Sequence, residues 1–372
     1  MFNKNFHIFI FFFLNIILFS ILIYGGSRND YALYQVTWEA ILSNKEDVRF
    51  NTYGSLHLFI SYIYEIQPLL PKIIFGILFS ILQCYLFFKI LKNSIKFVFY
   101  FYIFLPCNFL IISSVYFYGV NDSILAFFFI ISITLYLNKN YSYSGVFLAI
   151  SFFIKLYPIL FLPILTLFKK LNLKFLYFFT LSSCLLLIVS IYKFDIDLLF
   201  EPLKFGTLRA PNFLSILSSL RYDFPENKIL LSAIEYNSLI VIFFSLITLI
   251  YCLKKKKCLL TSIILIYLVI LTTYKVGHTQ FYIPLCCIFS ILLNYKNLYL
   301  KHVKSVLPLA ILLSVTSLLY PLTGGFDVMN QKNIFWSLRE NMGYLYFITN
   351  ILTFYKISKI ENKNSNYEIK EF

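Results

Sequence analysis

Long apolar runs alternate with short polar breaks along this chain. The runs are 6–24, 69–91, 96–115, 121–137, 144–168, 173–192, 235–253, 258–274, 280–294, 304–321 and 342–358. A helix needs about 20 residues to cross a bilayer, so most of them are candidate spans. Most are apolar on every side, the pattern of helices with an apolar surround on all faces. Two polar stretches interrupt them, 25–68 and 193–234, and a polar tail, 359–372, closes the chain. The first stretch contains amphipathic segments such as Tyr31–Leu42, expected to be short helices lying on the membrane surface. The run 144–168 is interrupted at Lys155-Leu156-Tyr157-Pro158. A residue before proline avoids the helical region and proline has no N–H, so two short helices are expected there. The pattern predicts an all-α polytopic membrane protein, a single domain of about twelve membrane segments.

Composition removes the other classes. Of 372 residues, 60% are hydrophobic and 13% charged, against about 25% charged in a soluble domain. No soluble core of this length hides so much apolar surface. The 44 Phe and 30 Tyr exclude a disordered chain. No small-x-small site precedes Gly25-Gly26-Ser27, so the first run reads as a membrane helix rather than a signal peptide. The cysteines lack zinc or redox spacing apart from the adjacent Cys286-Cys287 pair, so neither a metal nor a disulfide framework is expected.

The net charge of +15 reads as loop lysine on the cytoplasmic side, not as a nucleic-acid surface. Lysines cluster at 89–96, 169–174, 254–257, 296–304 and 359–370. All fall on one side if 144–168 is a hairpin with Lys155 at its outer tip, and both termini are then cytoplasmic. Every arginine (Arg28, Arg49, Arg209, Arg221, Arg339) and every carboxylate except Glu361, Glu368 and Glu371 then lies on the outer side. Arginine suits phosphate and carboxylates serve as general bases, so any chemistry is expected on that face.

The candidates each have two readings. Asp30 is a surface carboxylate able to take a proton from a hydroxyl, or the N-cap of a helix over Tyr31–Leu42. Asp122, in Tyr118-Gly119-Val120-Asn121-Asp122, is a reserve base or a helix cap. Lys155 sits in an apolar run, where an ionisable group is costly; it binds a phosphate oxygen or snorkels to the interface. Lys275, His278 and Gln280 line a substrate cavity or form a plain turn. Arg209, in Arg209-Ala210-Pro211-Asn212, covers a phosphate or belongs to an exposed loop. No nucleotide-binding glycine loop and no serine nucleophile elbow is present.

Taken in order, these pieces resemble a GT-C glycosyltransferase, closest to glycosyltransferase family 87 and related polyprenyl-phosphate-mannose-dependent proteins, and more faintly to the first GPI mannosyltransferase. The resemblance rests on Asp30-Tyr31; Thr52-Tyr53-Gly54-Ser55-Leu56-His57 with Leu70-Pro71-Lys72; Tyr118 to Asp122; Ser144-Gly145 through Lys155-Leu156-Tyr157-Pro158 to Pro163; and Ala210 to Ile216 with His278-Thr279-Gln280-Phe281. It implies transfer of a mannose-like hexose from a polyprenyl-phosphate donor to a glycan or glycolipid acceptor, with inversion and no cofactor or metal. It implies Asp30 as general base, and substrate contacts from Arg28, Tyr53, Asn121, Lys155, Tyr157, Arg209, His278 and Gln280. Many GT-C proteins carry two adjacent acids in the first loop; here Asn29 precedes Asp30. The alternatives are a polysaccharide repeat-unit polymerase, or a lipid-linked sugar flippase or transporter. No internal repeat favours the last.

Overall fold

The structure, a computed structural model, describes residues 3–28, 30–43, 53–168, 170–194, 196–294, 299–322 and 334–360. Glu46, Asp47, Arg49, Asp195 and the tail from 361 lie outside these residues. The described chain is helical apart from one two-residue parallel bridge. Its elements run α1 Lys4–Gly25, α2 Asp30–Leu42, α3 Ser55–Ile66, α4 Leu70–Asn93, α5 Val98–Phe104, α6 Phe109–Ile111, α7 Asp122–Leu137, α8 Tyr141–Ile154 and α9 Leu162–Leu167. Then come α10 Leu173–Lys193, α11 Ile196–Leu208, β1 Asn212–Phe213, α12 Ile216–Asp223, α13 Lys228–Glu235, α14 Asn237–Lys254 and α15 Leu259–Thr273. Last are β2 Val276–Gly277, α16 Ile283–Leu292, α17 Tyr299–Leu322 and α18 Ile334–Ser358.

Among the described residues, α1, α4, α10 and α14 are long and apolar enough to cross a membrane. A fifth span is present if the bent pair Ile95–Phe104 and Phe109–Phe117 counts as one. The chain is a membrane-embedded helical protein. The exposed apolar faces agree with that: along α10, Tyr177, Leu181, Leu185 and Ile188 all point outward.

The runs are less regular than the hydropathy pattern predicts. The run 96–115 bends by 48° where Pro106 interrupts it, and its second half is a π-helix, Ile112–Phe117. The expected break in 144–168 is present: α8 ends at Ile154, Lys155 is extended, and a 3-10 turn, Tyr157–Phe161, resumes the chain into α9. Pro158 sits in the first turn of that segment, where its missing N–H costs nothing. The stretch 193–234, expected as a loop, contains α11, α12 and α13. Ser215 and Asn227 cap the last two through their side-chain oxygens.

Contacts divide the described chain into two units. One gathers residues of Met1–Val98 and Ser114–Gly206; the other gathers residues of Phe99–Ser113 and Thr207–Ser365. In the first, α1 packs on α4 with Phe11 stacked on Phe87 at 4.2 Å. There α7 and α8 exchange reciprocal bonds, Ser132 Oγ to Ser144 O and Ser144 Oγ to Ser132 O, both 2.8 Å. Gly145 lets α8 approach α10, since a Cβ there would lie 2.6 Å from the Phe175 carbonyl.

The helices of 25–68 form as expected, but their aromatic faces pack into protein. Tyr31, Tyr34 and Trp38 follow i, i+3, i+7 spacing, form one stripe of α2, and are buried with Ile60 and Phe75. In the second unit, α12, α15 and α17 pack on α18. Lys257, from the four-lysine run, donates to the Ser358 and Ile360 carbonyls at 2.7 and 2.9 Å. This covers orphan carbonyls at the C-terminal end of α18.

Candidate functional site

In the first unit, three motifs distant in sequence meet. The Gly54 N–H donates to the Ile154 carbonyl at 2.9 Å, bringing the start of α3 to the break at Lys155. A Cβ on Gly54 would lie 2.2 Å from the Phe153 carbonyl oxygen, so only glycine permits this approach. The Lys155 ammonium donates to Asp122 Oδ2 at 2.6 Å and lies 5.2 Å from the Tyr53 ring centre. Asn121 Nδ2 donates to His57 Nδ1 at 3.4 Å. Tyr34 Oη donates to Asn121 Oδ1, also at 3.4 Å, and Tyr53 Oη donates to Tyr34 Oη at 3.3 Å. The His57 ring lies 4.5 Å from Tyr53 and 5.2 Å from Trp38, whose Nε1–H donates to the His57 carbonyl at 3.0 Å.

The electrostatics of the cluster follow from burial. Asp122, Asn121 and His57 are wholly buried, and Lys155 is nearly so. Burial pushes the His57 imidazole down to about 3, and the nearby Lys155 charge adds to the effect, so His57 is neutral at physiological pH. With Nδ1 accepting from Asn121, its proton resides on Nε2. Among the described residues neither His57 Nε2 nor Asp122 Oδ1 has a hydrogen-bond partner. The cluster thus holds one donor and one acceptor that a hydroxyl would satisfy. Burial also holds the Tyr34 phenol well above its ordinary range, and Tyr53, then Asp30 and Asp122, reinforce this. Both candidate acids therefore act on one tyrosine.

Asp30 and Asp122 differ in setting. Asp30 is the first residue of α2, half-buried, one turn before Tyr34. Neither acid occupies a cap position: Asp30 opens its helix, and Asn121 precedes Asp122 as the cap of α7, without a side-chain capping bond. Each is in a first turn, where negative charge is favoured. Tyr157 is half-buried and opens the 3-10 turn two residues after Lys155. Arg28 is exposed, its guanidinium 5.7 Å from the Tyr24 ring centre and 5.4 Å from that of Phe117.

The second unit has its own polar group. β1 and β2 pair in parallel, Asn212 beside Val276 and Phe213 beside Gly277. The Asn212 N–H donates to the Lys275 carbonyl and the Leu214 N–H to that of Gly277, each at 3.0 Å. This bridge sets Arg209 Nη2 2.8 Å from His278 Nε2. A guanidinium only donates, so His278 accepts at Nε2 and is neutral. Gln280 is buried in the next 3-10 turn, Thr279–Tyr282. The buried Lys275 ammonium reaches the Ile234 carbonyl at 3.3 Å, and burial lowers its pKa.

A Cβ on Gly277 would lie 2.3 Å from the Ser215 nitrogen and 2.5 Å from the Leu214 carbonyl carbon. Gly277→Ala must therefore part the bridge, because the obstruction is backbone. The expected cost is about 1–3 kcal/mol, read as a lowered Tm of the full chain in a mild detergent. An unchanged Tm would mean that the bridge does not hold Arg209 to His278.

The sequence singled out Asp30, Tyr53, Asn121, Asp122 and Lys155 separately, and the first unit groups them. It gave no role to Tyr34, His57 or Lys72. Tyr34 was legible as the residue one turn beyond Asp30 on the aromatic stripe of α2. Among the described residues no group of three His, Cys, Asp or Glu side chains is placed to hold a metal ion. No protein-family model matches the chain, and no curated protein matches it.

Proposed function

We propose that the chain is a membrane glycosyltransferase that moves a hexose from a polyprenyl-phosphate donor to a glycan or glycolipid acceptor. The observation that carries the reading is the meeting of three motifs, Tyr53 to His57, Asn121-Asp122 and Lys155 to Pro158, in one buried cluster beside Asp30. Those stretches are the ones the GT-C resemblance rests on. In this reading about twelve membrane segments leave both termini cytoplasmic and the cluster toward the outer face. Asp30, half-buried and outside the Lys155 pair, is the general base that takes the acceptor hydroxyl proton. The acceptor oxygen bonds to the anomeric carbon from the face opposite the lipid phosphate, which leaves with the C–O bonding electrons, so the anomeric centre inverts. Asp122 is the reserve base; its negative charge is matched by Lys155.

In the same reading the Asp122–Lys155 pair positions Asn121 and Tyr53. His57 Nε2–H and Asp122 Oδ1 offer a sugar hydroxyl one donor and one acceptor. The resemblance also implies substrate contacts from Arg209, His278 and Gln280, which lie in the second unit. The hexose is mannose-like by resemblance alone.

The test is turnover. Membranes carrying the chain are supplied with polyprenyl-phosphate hexose and a cell lipid extract as acceptor. Release of free polyprenyl phosphate that stops on Asp30→Asn supports the reading. Donor that stays intact with the wild-type chain contradicts it.

A further inference from the structure

Six lysines gather where α14 and α18 end in the second unit. Lys254 closes α14, and Lys255, Lys256 and Lys257 form the turn toward α15. Lys356 is in the last turn of α18 and Lys359 follows that helix. The two helix ends are tied together. The Lys257 ammonium donates to the Ser358 and Ile360 carbonyls, and Tyr251 Oη donates to the Ser358 carbonyl at 3.3 Å. Lys257 is committed to that tie, and the other five lysines are exposed. Residues 249–262 and 350–360 contain no Asp or Glu; the next carboxylate along the chain is Glu361. A helix C-terminus offsets about half a charge, so two of them leave most of the positive charge unbalanced.

The turn carries strain. The Lys257 N–H donates to the Cys252 carbonyl at 3.0 Å and the Lys256 N–H to the Leu253 carbonyl at 3.1 Å. These are the paired bonds of a helix-ending turn whose left-handed residue is usually glycine. Here that residue is Lys256, at φ +47°. A side chain in this conformation is disfavoured where glycine is not. Among the described residues the other non-glycine with positive φ is Lys139, after the end of α7. Membrane topology asks for lysine in a loop, but not for lysine at its strained position. Strain that persists points to a role for the side chain.

The level of the patch is set by the elements. α14 is long and apolar enough to span, so its last turn stands at the membrane boundary. Tyr355 is exposed, with the Lys359 ammonium 4.1 Å from its ring centre, and tyrosine collects at that level. The patch is at the opposite end of α15 from Lys275 and His278, about 22 Å along the helix axis. It is therefore separate from the polar group that holds Arg209.

We propose that this patch binds the headgroup of an anionic phospholipid. Lys254, Lys255 and Lys256 supply charge from one helix end and Lys356 and Lys359 from the other. Lys257 keeps the two ends together, so one headgroup meets both sets. The site goes beyond the glycosyl-transfer reading: it binds lipid whether or not the chain moves a sugar.

The test uses the full chain in a neutral detergent at fixed ionic strength. Dioctanoyl phosphatidylglycerol, dioctanoyl phosphatidylcholine and poly-glutamate are titrated against Tm. Phosphatidylglycerol is expected to raise Tm where phosphatidylcholine does not. Lys256→Gly is expected to raise Tm without lipid, because strain is relieved, and to weaken phosphatidylglycerol binding about fivefold. The triple variant Lys254→Gln, Lys255→Gln, Lys256→Gln weakens it by about 100-fold. Lys139→Gly relieves the same strain outside the patch, so it raises Tm and keeps the wild-type response to lipid. Both glycine variants favour the fold, so the comparison does not depend on a variant that fails to fold. Equal effects of the two lipids overturn the site, as does a wild-type response from the triple variant. So does Lys139→Gly weakening binding as much as Lys256→Gly. Poly-glutamate that raises Tm as far as phosphatidylglycerol would assign the patch to an acidic protein partner and also overturn it. Lipid binding in a chain that transfers no sugar would sustain this site while sinking the function proposed above.

Discussion

Asp30→Asn is expected to lower sugar transfer by about 10²- to 10⁴-fold, the range for loss of a general base, while leaving the fold in place. Asp30 is half-buried at the first turn of α2, and asparagine keeps its shape. The lost interaction with the helix end contributes about 0.3–1 kcal/mol to the stability change. Asp122→Asn has a different signature. It leaves the Lys155 ammonium buried opposite a neutral amide, so stability and activity fall together. Measuring turnover and Tm on both variants therefore separates the two acids. Loss of turnover with an unshifted Tm at Asp122→Asn, and full turnover at Asp30→Asn, would make Asp122 the base.

Lys155→Met is expected to give the largest loss of stability in the first unit. The Asp122 carboxylate is wholly buried, and its Oδ2 is held by Lys155 at 2.6 Å. Removing one partner of such a pair costs about 3–5 kcal/mol, because a charge is left without compensation. The double variant Asp122→Leu, Lys155→Met removes both charges and is expected to regain much of that loss. The check is the Tm of single and double variants in the same detergent. A double variant as unstable as the sum of its parts would mean that the two residues do not stabilise each other.

What the sequence made legible depended on the range of the interaction. The break in 144–168 could be read because its causes are local: Lys155 and Pro158 lie three residues apart, and each disfavours an apolar helix by itself. The helix expected over Tyr31–Leu42 could be read for the same reason; it begins one residue earlier, at Asp30. The bend at Pro106 was equally local but was masked by an otherwise continuous apolar run. The ion pair between Asp122 and Lys155 could not be read. Each residue had a sufficient local reading, a first-turn acid and a snorkelling lysine, and only tertiary packing brings them to 2.6 Å. The helices within 193–234 were missed because polar residues between apolar runs look like loop. Their apolar positions are few, and the caps Ser215 and Asn227 were the available signal. The β1–β2 bridge is two residues long, below what a periodicity can register.

The central claim is that the chain adds one sugar to a lipid-linked glycan. Mass spectrometry of lipid-linked glycans from cells carrying the wild type, a deletion, or Asp30→Asn tests it most directly. The account predicts that the deletion and Asp30→Asn accumulate the same intermediate, one hexose short of the wild-type glycan. Accumulation of complete single repeat units in the deletion would contradict it, and would mark the chain as a polymerase or a flippase.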